Sequence, residues 1–358
     1  MHPVRLALPL VFASVSFAQC EPLTVVSWGG PYQQAQSEAI FKPFTEATGI
    51  EIKVLSYDGS IESINERAVA ENWDVVDMVE DRAIAGCEAG FLLPFDAEEI
   101  VLQDQAVPVR QDFVEGAFRE CSVAQNVFAT VVAFNVRSYP GIKPTRMEDF
   151  FDVEAFPGKR AVQKSPDAIL EWALLAEGVP ARQVYDLLST DRGLKLALRK
   201  LSEIRDHIVW WDDVADPVQL LANGDVSMST GYNGRFFSAA SNDGLPITII
   251  WDGRLIGHEV WAISNASGRI ADAELFIGFA TAPEQLAALA ELIPYGPARR
   301  SGQLRVGLKP DGTIPMRDHL PNAPQHGERF LTRDTVWYAH TRDLRDRRFQ
   351  AWLNEKQD

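Results

Sequence analysis

The sequence is poor in cysteine, in basic residues and in long apolar runs. Only 3 of its 358 residues are cysteine, and 34 Lys and Arg stand against 50 Asp and Glu, so the formal net charge is −16 at pH 7. A field of that sign repels phosphate groups, so neither nucleic acid nor an anionic membrane surface is an expected partner. Beyond its N-terminus the chain lacks the roughly 18-residue apolar run that predicts a membrane-spanning helix.

Hydrophobic residues make up 46 %, enough for a sizeable core. The length fits two domains of ordinary size or one large one.

The motifs that mark metal sites and hydrolases are also missing. No Cys-x-x-Cys or combined Cys and His spacing predicts zinc, and the 6 histidines lack the spacing of metal ligands. There is no Gly-x-Ser-x-Gly nucleophile elbow and no His-Glu-x-x-His motif. We therefore expect no metal and no cofactor, and an exported hydrolase is the less favoured class of function.

The first 18 residues, MHPVRLALPLVFASVSFA, have the pattern of a secretory signal peptide. Arg5 is the only charged residue, an apolar run extends from Leu6 to Ala18, and small residues occupy the positions that precede cleavage after Ala18. Residues 1–18 are therefore predicted to direct export to the periplasm. A lipoprotein anchored through Cys20 is the alternative, although the three residues before Cys20 depart from the usual lipidation pattern.

Export exposes the cysteines to oxidising conditions, in which they pair. Cys87 and Cys121 lie near the ends of predicted elements in the first domain, whereas Cys20 lies at the N-terminus. We predict a Cys87–Cys121 disulfide, which closes a loop of about 35 residues and stabilises the fold by roughly 3–4 kcal/mol. Three unpaired thiols are the alternative. Whether Cys20 is free, lipidated or paired stays open.

Strands and helices alternate in the first part of the chain. Leu23–Ser27, Ile50–Leu55 and Trp73–Val79 have strand patterns, and helical spacing follows at Tyr32–Thr48 and Ser60–Glu71. A β-α-β-α-β order predicts a parallel sheet with helical crossovers.

A second α/β set begins near residue 133. Its predicted strands include Val226–Thr230, Ile247–Trp251 and His258–Ser264, and Phe330–Leu353 is predicted as one closing helix. The arginines at 342, 345, 347 and 348 alternate with aspartates, a pattern typical of a solvated helix face. Two α/β domains joined by strand crossovers fit this order better than a single doubly wound domain.

Three segments carry a further pattern, in the order LTVVSWGGPYQQAQSEAIFKPFTEATG at Leu23–Gly49, WDVVDMVEDRAIAGCEAGFLLPFD at Trp73–Asp96, and GDVSMSTGYNG at Gly224–Gly234. Together they resemble the extracellular solute-binding proteins of ABC importers, and within these the spermidine/putrescine-binding branch. The resemblance implies an α/β periplasmic binding fold of type II, in which two lobes, each a sheet flanked by helices, close over a ligand at a hinge. Lobe 1 is expected to combine residues 22–132 and 256–300, and lobe 2 residues 135–252 and 301–358.

Candidate ligand-binding residues follow from the ends of the predicted strands, where open α/β sheets collect ligands. Trp28 and Tyr32 flank a glycine-rich loop after the first strand, and Glu80 and Asp81 follow the third strand. Aromatic rings favour an organic cation through cation–π contacts. A core-capping role for Trp28, and a solvated acidic pair or a helix cap at 80–81, are the alternatives. Which of the two acids faces the cleft stays open.

The resemblance implies further candidates in the second part of the chain, namely Ser165, Tyr232, Asn233, Glu259 and Tyr295. Glu259 and Tyr295 keep an acid and an aromatic where the polyamine binders carry them, whereas Ser165 and Ala168 stand in place of two acids. Glu259 is the sharpest signal among them. A buried carboxylate in an otherwise apolar strand is costly unless a cationic ligand or an internal arginine pairs with it.

The predicted function is that of a periplasmic substrate-binding protein, monomeric and without catalytic activity. It would capture a small polar solute by lobe closure, with a polyamine or related organic amine favoured, and deliver it to an ABC permease in the inner membrane. The missing acids at 165 and 168 leave an amino-acid derivative or an organic acid open as the ligand. A ferric ion is a further alternative, disfavoured because Tyr295 is followed by Gly rather than by a second Tyr.

Overall fold

The computed structural model describes residues 21–101 and 107–355. The predicted signal peptide and Cys20 lie outside these ranges. The strands are β1 Leu23–Ser27, β2 Ile52–Ser56, β3 Val75–Val79, β4 Leu92–Leu93, β5 Phe118–Arg119, β6 Ser122–Asn135, β7 Arg160–Gln163, β8 Ile208–Trp211, β9 Met228–Tyr232, β10 Ile247–Ser264, β11 Gly296–Pro297 and β12 Phe330–Thr332.

The helices alternate with these strands, as the sequence predicts. They are α1 Gly30–Gln36, α2 Lys42–Thr48, α3 Ile61–Glu71, α4 Glu80–Glu88, α5 Ala97–Ile100, α6 Val109–Asp112, α7 Met147–Phe151, α8 Ile169–Ala176, α9 Val184–Leu188, α10 Asp191–Ser202, α11 Asp216–Asn223, α12 Asn233–Ser241, α13 Ile270–Ala280, α14 Pro283–Leu292, α15 Arg300–Arg305 and α16 Thr335–Asn354. A π-helical stretch, Ser37–Phe41, joins α1 to α2. In the part of the chain described, none of the helices is both long enough and apolar enough to cross a membrane.

Two long antiparallel strands, β6 and β10, organise the sheet. On one side β10 pairs with β3, which leads to β1 and β2, and on the other β6 pairs with β9, which leads to β7 and β8. The pairs β1–β2, β1–β3, β7–β8 and β7–β9 are parallel, as the crossover helices require. The predicted α/β architecture is confirmed. Hydrogen bonding runs without interruption from β2 to β8 because both central strands serve both halves.

Each half of the molecule has its own hydrophobic core. Phe44, Trp73 and Trp261 are buried around the β1–β3 sheet, and Phe150 and Trp172 are buried among the helices of the other half. Full burial of one large apolar side chain contributes roughly 1.5–3 kcal/mol, so each half has a substantial stabilising centre.

Helix α16 contacts both halves. Its Arg342 lies 3.3 Å from Glu62 on α3, and its Trp352 donates a hydrogen bond of 2.8 Å to Ser202 on α10. The lobe boundaries given above stay a prediction, since α16 and the two central strands belong to both halves.

Several predicted boundaries differ from the structure, and two of these differences have a clear physical cause. The strands expected at 247–251 and 258–264 are one strand, because the residues around Gly253 form a bulge in which the pairing with β6 jumps from Ile250 to Leu255. The closing helix begins only at Thr335, where Asp334 accepts a hydrogen bond from the backbone N–H of Trp337 and caps the helix.

Covalent and ionic links complete the fold. The predicted disulfide between Cys87 and Cys121 is confirmed, with their Cα atoms 5.8 Å apart. The expected solvated face of α16 is wrong for Arg345, which is buried, ion-paired with Asp167 and stacked on the ring of Tyr338.

Candidate functional site

A cleft lies where the carboxyl ends of β1 and β3 meet β10 and the end of β9. Its first compartment has about 390 Å³ of space between protein atoms, including the part open to solvent, and is lined by Trp28, Tyr32, Val79, Phe128, Val214, Tyr232, Arg235, Glu259 and Tyr295. Five of the nine candidates predicted as ligand contacts therefore share one cavity.

Aromatic rings form the walls of the first compartment. Trp28 directly follows β1, and its ring centroid lies 5.5 Å from that of Tyr57. Tyr32, in the first turn of α1, packs edge to face against Tyr295 at 5.1 Å. Tyr232, the last residue of β9, packs in the same manner on Phe128 of β6. Tyr232 comes from the opposite half to Trp28 and Tyr32, so the cavity lies between the halves.

The Tyr232-Asn233-Gly234 turn has a structural role in addition to presenting Tyr232. The Asn233 side chain accepts a hydrogen bond from the backbone N–H of Ala129 at 2.9 Å and donates one to the carbonyl of Pro294 at 2.7 Å. A Cβ at Gly234 would lie 2.7 Å from the Tyr295 ring, so only glycine permits this approach. Asn233 is therefore committed to protein contacts rather than directed into the cavity.

Two carboxyl groups meet at the floor of the first compartment. Glu259 on β10 pairs with Val79, and Trp261 pairs with Asp77, so Glu259 and Asp77 are diagonal neighbours on one face of the sheet. Asp77 is fully buried and Glu259 is 8 % exposed. Two carboxyl groups so close together in a buried setting oppose each other's ionisation. The indole N–H of Trp28 donates to a carboxyl oxygen of Glu259 at 3.1 Å.

Burial dominates the electrostatics of this pair. It raises the pKa of Glu259 well above its usual range, and the charge of Asp77 raises it further. Burial also raises the pKa of Asp77, to about 7, against the opposing effect of its hydrogen-bond donors. Gln36 donates to Asp77 at 2.6 Å and Gln125 at 2.7 Å. Beside Glu259 the expected cation is thus replaced by a raised pKa, which favours the protonated, uncharged carboxyl group.

A second compartment adjoins the first and shares Trp28, Val79, Phe128 and Tyr232 with it. It has about 610 Å³ of space, again including the open part, and its remaining lining is Asp58, Gly59, Arg82, Thr130, Gln163, Ser165, Asp167, Ala168 and Arg333. The predicted site residue Ser165 lies here, where its hydroxyl accepts from the backbone N–H of Asp167 at 3.2 Å. This compartment is polar, in contrast to the aromatic first compartment.

Glu80 and Asp81 lie outside both compartments. They form the first turn of α4 rather than an extended segment, and neither serves as the N-cap. Glu80 accepts from Arg119 at 2.6 Å and lies 3.1 Å from the ring nitrogen of His258, while Asp81 accepts from Arg333 at 2.8 Å. The two carboxylates are occupied by internal cations, which explains their burial without a ligand.

Sequence reasoning did not single out several of the lining or supporting residues. Asp77 could have been identified by the same pattern as Glu259, because it is an acid within an apolar strand. Arg82, Arg235 and Arg333 had none, because an isolated arginine in a helix or loop is ordinarily solvated.

Comparisons with known proteins bear on this site. Residues 39–315 match the family described as bacterial extracellular solute-binding protein. The gamma-aminobutyric acid-binding protein of Pseudomonas aeruginosa is 36 % identical over 348 residues, which are 96 % of this chain and 94 % of the relative.

Two solved structures share the fold over nearly the whole chain. The PBP MotA of A. tumefaciens B6, in complex with glucopine, has a TM-score of 0.82 at 26 % identity, covering 93 % of this chain and 99 % of its own. An ABC transporter substrate-binding protein of Bradyrhizobium japonicum has a TM-score of 0.81 at 28 % identity, with the same coverage. The predicted spermidine/putrescine branch is not among these relatives. The chain belongs to the bacterial extracellular solute-binding proteins, the substrate-binding components of ABC transporters.

Proposed function

We propose that this chain is the periplasmic receptor of an ABC importer and that it captures an amino-acid derivative bearing an amine, of the 4-aminobutyrate class. The observation that carries this proposal is the Asp77–Glu259 carboxyl pair at the floor of an aromatic compartment. An ammonium group placed there gains cation–π contact with the rings and a charge-assisted hydrogen bond to Glu259. The relative that binds gamma-aminobutyric acid supports the same class.

A polyamine fits this cleft less well than the amino-acid derivative that the sequence left as an alternative. A polyamine carries a positive charge at each end and needs an acid for each. The second compartment has Ser165 and Ala168 where polyamine binders carry acids, and Arg82 and Arg333 line it. Two acids also line it, but both already have partners within the protein: Asp167 is ion-paired with Arg333, and Asp58 accepts from the hydroxyl groups of Ser60 and Ser63.

Ligand capture would proceed by closure of the two halves. Trp28, Tyr32 and Glu259 contribute one wall and Tyr232 the opposing one, so only the closed form makes every contact with a ligand. The function needs no catalytic group, and it implies a permease in the inner membrane as the partner. We further propose that residues 1–18 direct export and that the receptor is monomeric.

Thermal-shift measurements on the mature protein test this proposal. A ligand that binds only the native state raises the melting temperature, by an amount that grows with the ratio of its concentration to its Kd. We expect 4-aminobutyrate and related ω-amino acids to raise the melting temperature at millimolar concentration, and putrescine and spermidine to have a smaller effect. A larger shift with the polyamines, or none with any amine, would overturn the assignment.

A further inference from the structure

Gly59, in the loop between β2 and α3, lies against the Trp28 ring. A Cβ atom added at Gly59 would lie 2.1 and 2.2 Å from the indole atoms Cζ3 and Cη2, far inside van der Waals contact. Both atoms belong to the six-membered ring, whereas the N–H of the five-membered ring donates to Glu259 at 3.1 Å. The indole therefore contacts the backbone of Gly59 through one ring and the carboxyl group of Glu259 through the other.

Tyr57 restricts the same indole from a third direction. The two ring centroids are 5.5 Å apart. Tyr57 is itself buried and fixed, because its hydroxyl donates to the carbonyl of Asp77 at 2.8 Å and its backbone N–H donates to the carbonyl of Ser27 at 3.1 Å. The free surface of Trp28 lines both compartments of the cleft. An indole pushed away from Gly59 would therefore move into the space available to a ligand.

The loop that carries Gly59 is held by its own hydrogen bonds. The carboxylate of Asp58 accepts from the backbone N–H of Ser60 at 3.0 Å, and from the hydroxyl groups of Ser60 and Ser63 at 2.8 and 2.7 Å. Ser60 in turn caps α3 by accepting from the N–H of Ser63. These bonds fix the backbone on both sides of Gly59, so an added side chain would displace the indole rather than the loop.

The backbone conformation is a separate reason for glycine at this position. Gly59 has φ +76°, in the left-handed region that is costly for a residue with a side chain. Gly49, at the end of α2, has nearly the same φ of +74°, yet a Cβ there would have no atom of the described chain within 4 Å beyond its sequence neighbours. Gly49 thus separates the cost of the backbone conformation from that of the ring contact.

We propose that Gly59 is a positioning residue of the ligand site, because its lack of a side chain lets the Trp28 indole reach Glu259 and keeps the ring out of the ligand's space. In Gly59→Ala the ring would have to move by more than about 1 Å to restore ordinary contact, and it would lose the hydrogen bond to Glu259. This inference rests on the proposed function, because it assumes that the ligand amine binds beside Glu259.

Calorimetry with 4-aminobutyrate tests the proposal through a double-mutant cycle. Gly59→Ala should lower the affinity by about tenfold or more, because the displaced indole loses its bond to Glu259 and narrows the cavity. Gly49→Ala, the matched control for the backbone conformation, should leave the affinity unchanged. Phenylalanine is shorter than tryptophan, so Gly59→Ala combined with Trp28→Phe should bind as Trp28→Phe alone does, and more tightly than Gly59→Ala.

Nuclear magnetic resonance of the ligand-free protein gives a readout that does not depend on the ligand. The chain has 9 tryptophans, and the indole N–H resonance that is missing in Trp28→Phe is that of Trp28. In Gly59→Ala this resonance should shift more than those of the other indoles, because its N–H has lost an acceptor. In Gly49→Ala it should keep its position.

Each outcome bears on the role of Gly59. An unshifted Trp28 resonance in folded Gly59→Ala would overturn the inference, and so would an equal loss of affinity when Gly59→Ala is added to the wild type and to Trp28→Phe. Both results leave the proposed function intact, whereas a wild-type protein that binds no amine would overturn both. Should Gly59→Ala not fold, a folded double variant would support the ring contact as the cause, and misfolding of both beside a folded Gly49→Ala would contradict it.

Discussion

The carboxyl pair at the cleft floor predicts that ligand binding depends on pH. With the pKa of Asp77 near 7 and that of Glu259 well above its usual range, the ligand-free pair retains at least one proton in neutral solution. An ammonium ligand favours the ionised form of Glu259, so binding should release a proton. Affinity should therefore rise with pH, and it should fall as the pair becomes protonated.

The size of this effect follows from linkage between binding and ionisation. Release of one proton per ligand changes the affinity by about tenfold per pH unit. The ligand amine, with a pKa near that of lysine at about 10.4, stays protonated over this range. Between pH 6 and pH 7 we therefore expect a gain of up to about tenfold, and the slope should flatten once the ligand-free pair has lost the proton that binding releases.

Glu259→Gln isolates the source of the pH dependence. The variant keeps the shape of the side chain and removes its charge, so affinity at pH 8 should fall by about ten- to a hundred-fold, and the pH slope should flatten. Calorimetry with 4-aminobutyrate, in buffers of different ionisation enthalpy, measures both the affinity and the number of protons released.

A neighbouring histidine requires a control. His258 precedes Glu259 on β10 and lies 3.1 Å from Glu80, outside the cavity. His258→Asn should keep the slope. A wild-type affinity that is constant from pH 5.5 to 8.5, or a slope that survives in Glu259→Gln, would refute the assignment of the ammonium to this pair.

Two further predictions concern the cavity wall and the disulfide. Trp28→Phe keeps a ring in the wall but removes the N–H that donates to Glu259, so affinity should fall by only a few-fold. Trp28→Ala removes the ring as well, and affinity should fall at least tenfold in the same calorimetric assay. Unchanged affinity in both variants would place the ligand elsewhere. The double variant Cys87→Ala, Cys121→Ala lacks the disulfide, and its free energy of unfolding, measured by urea denaturation, should be lower by roughly 3–4 kcal/mol. Thiol counting on the unfolded, unreduced wild-type mature protein should find the single thiol of Cys20.

Local signals account for the parts of the fold that could be predicted from the sequence. The first strand was predicted with the bounds it has in the structure, and the helix after Ser60 begins where that residue caps it by accepting from the N–H of Ser63. The Gly253 bulge was misread as the end of a strand because a glycine in a strand pattern has the same appearance in both situations. Only the long-range pairing with β6 distinguishes them.

The candidate site was predictable residue by residue but not as a set. Trp28, Tyr232 and Glu259 could be named from strand ends and from an acid in an apolar strand. The position of Glu259 beside Asp77 depends on the antiparallel register of β3 and β10, which no local sequence pattern reveals. The burial of Arg345 depends likewise on Asp167, which is far away in the sequence, so a charge pattern within α16 could not reveal it.

The two strands shared by both halves have a consequence for the order in which the chain can fold. β3 needs β10 as its second neighbour, and residue 79 pairs with residue 259, so the N-terminal half keeps an unpaired strand edge until most of the chain is present. Contacts of such large sequence separation make folding slow, because a long loop must close before they form. A nascent chain that ends before Glu259 would leave β3 unpaired on one edge, and it could not complete the sheet. If residues 1–18 direct export, as we propose, late completion of β10 would help to keep the polypeptide unfolded until it reaches the membrane.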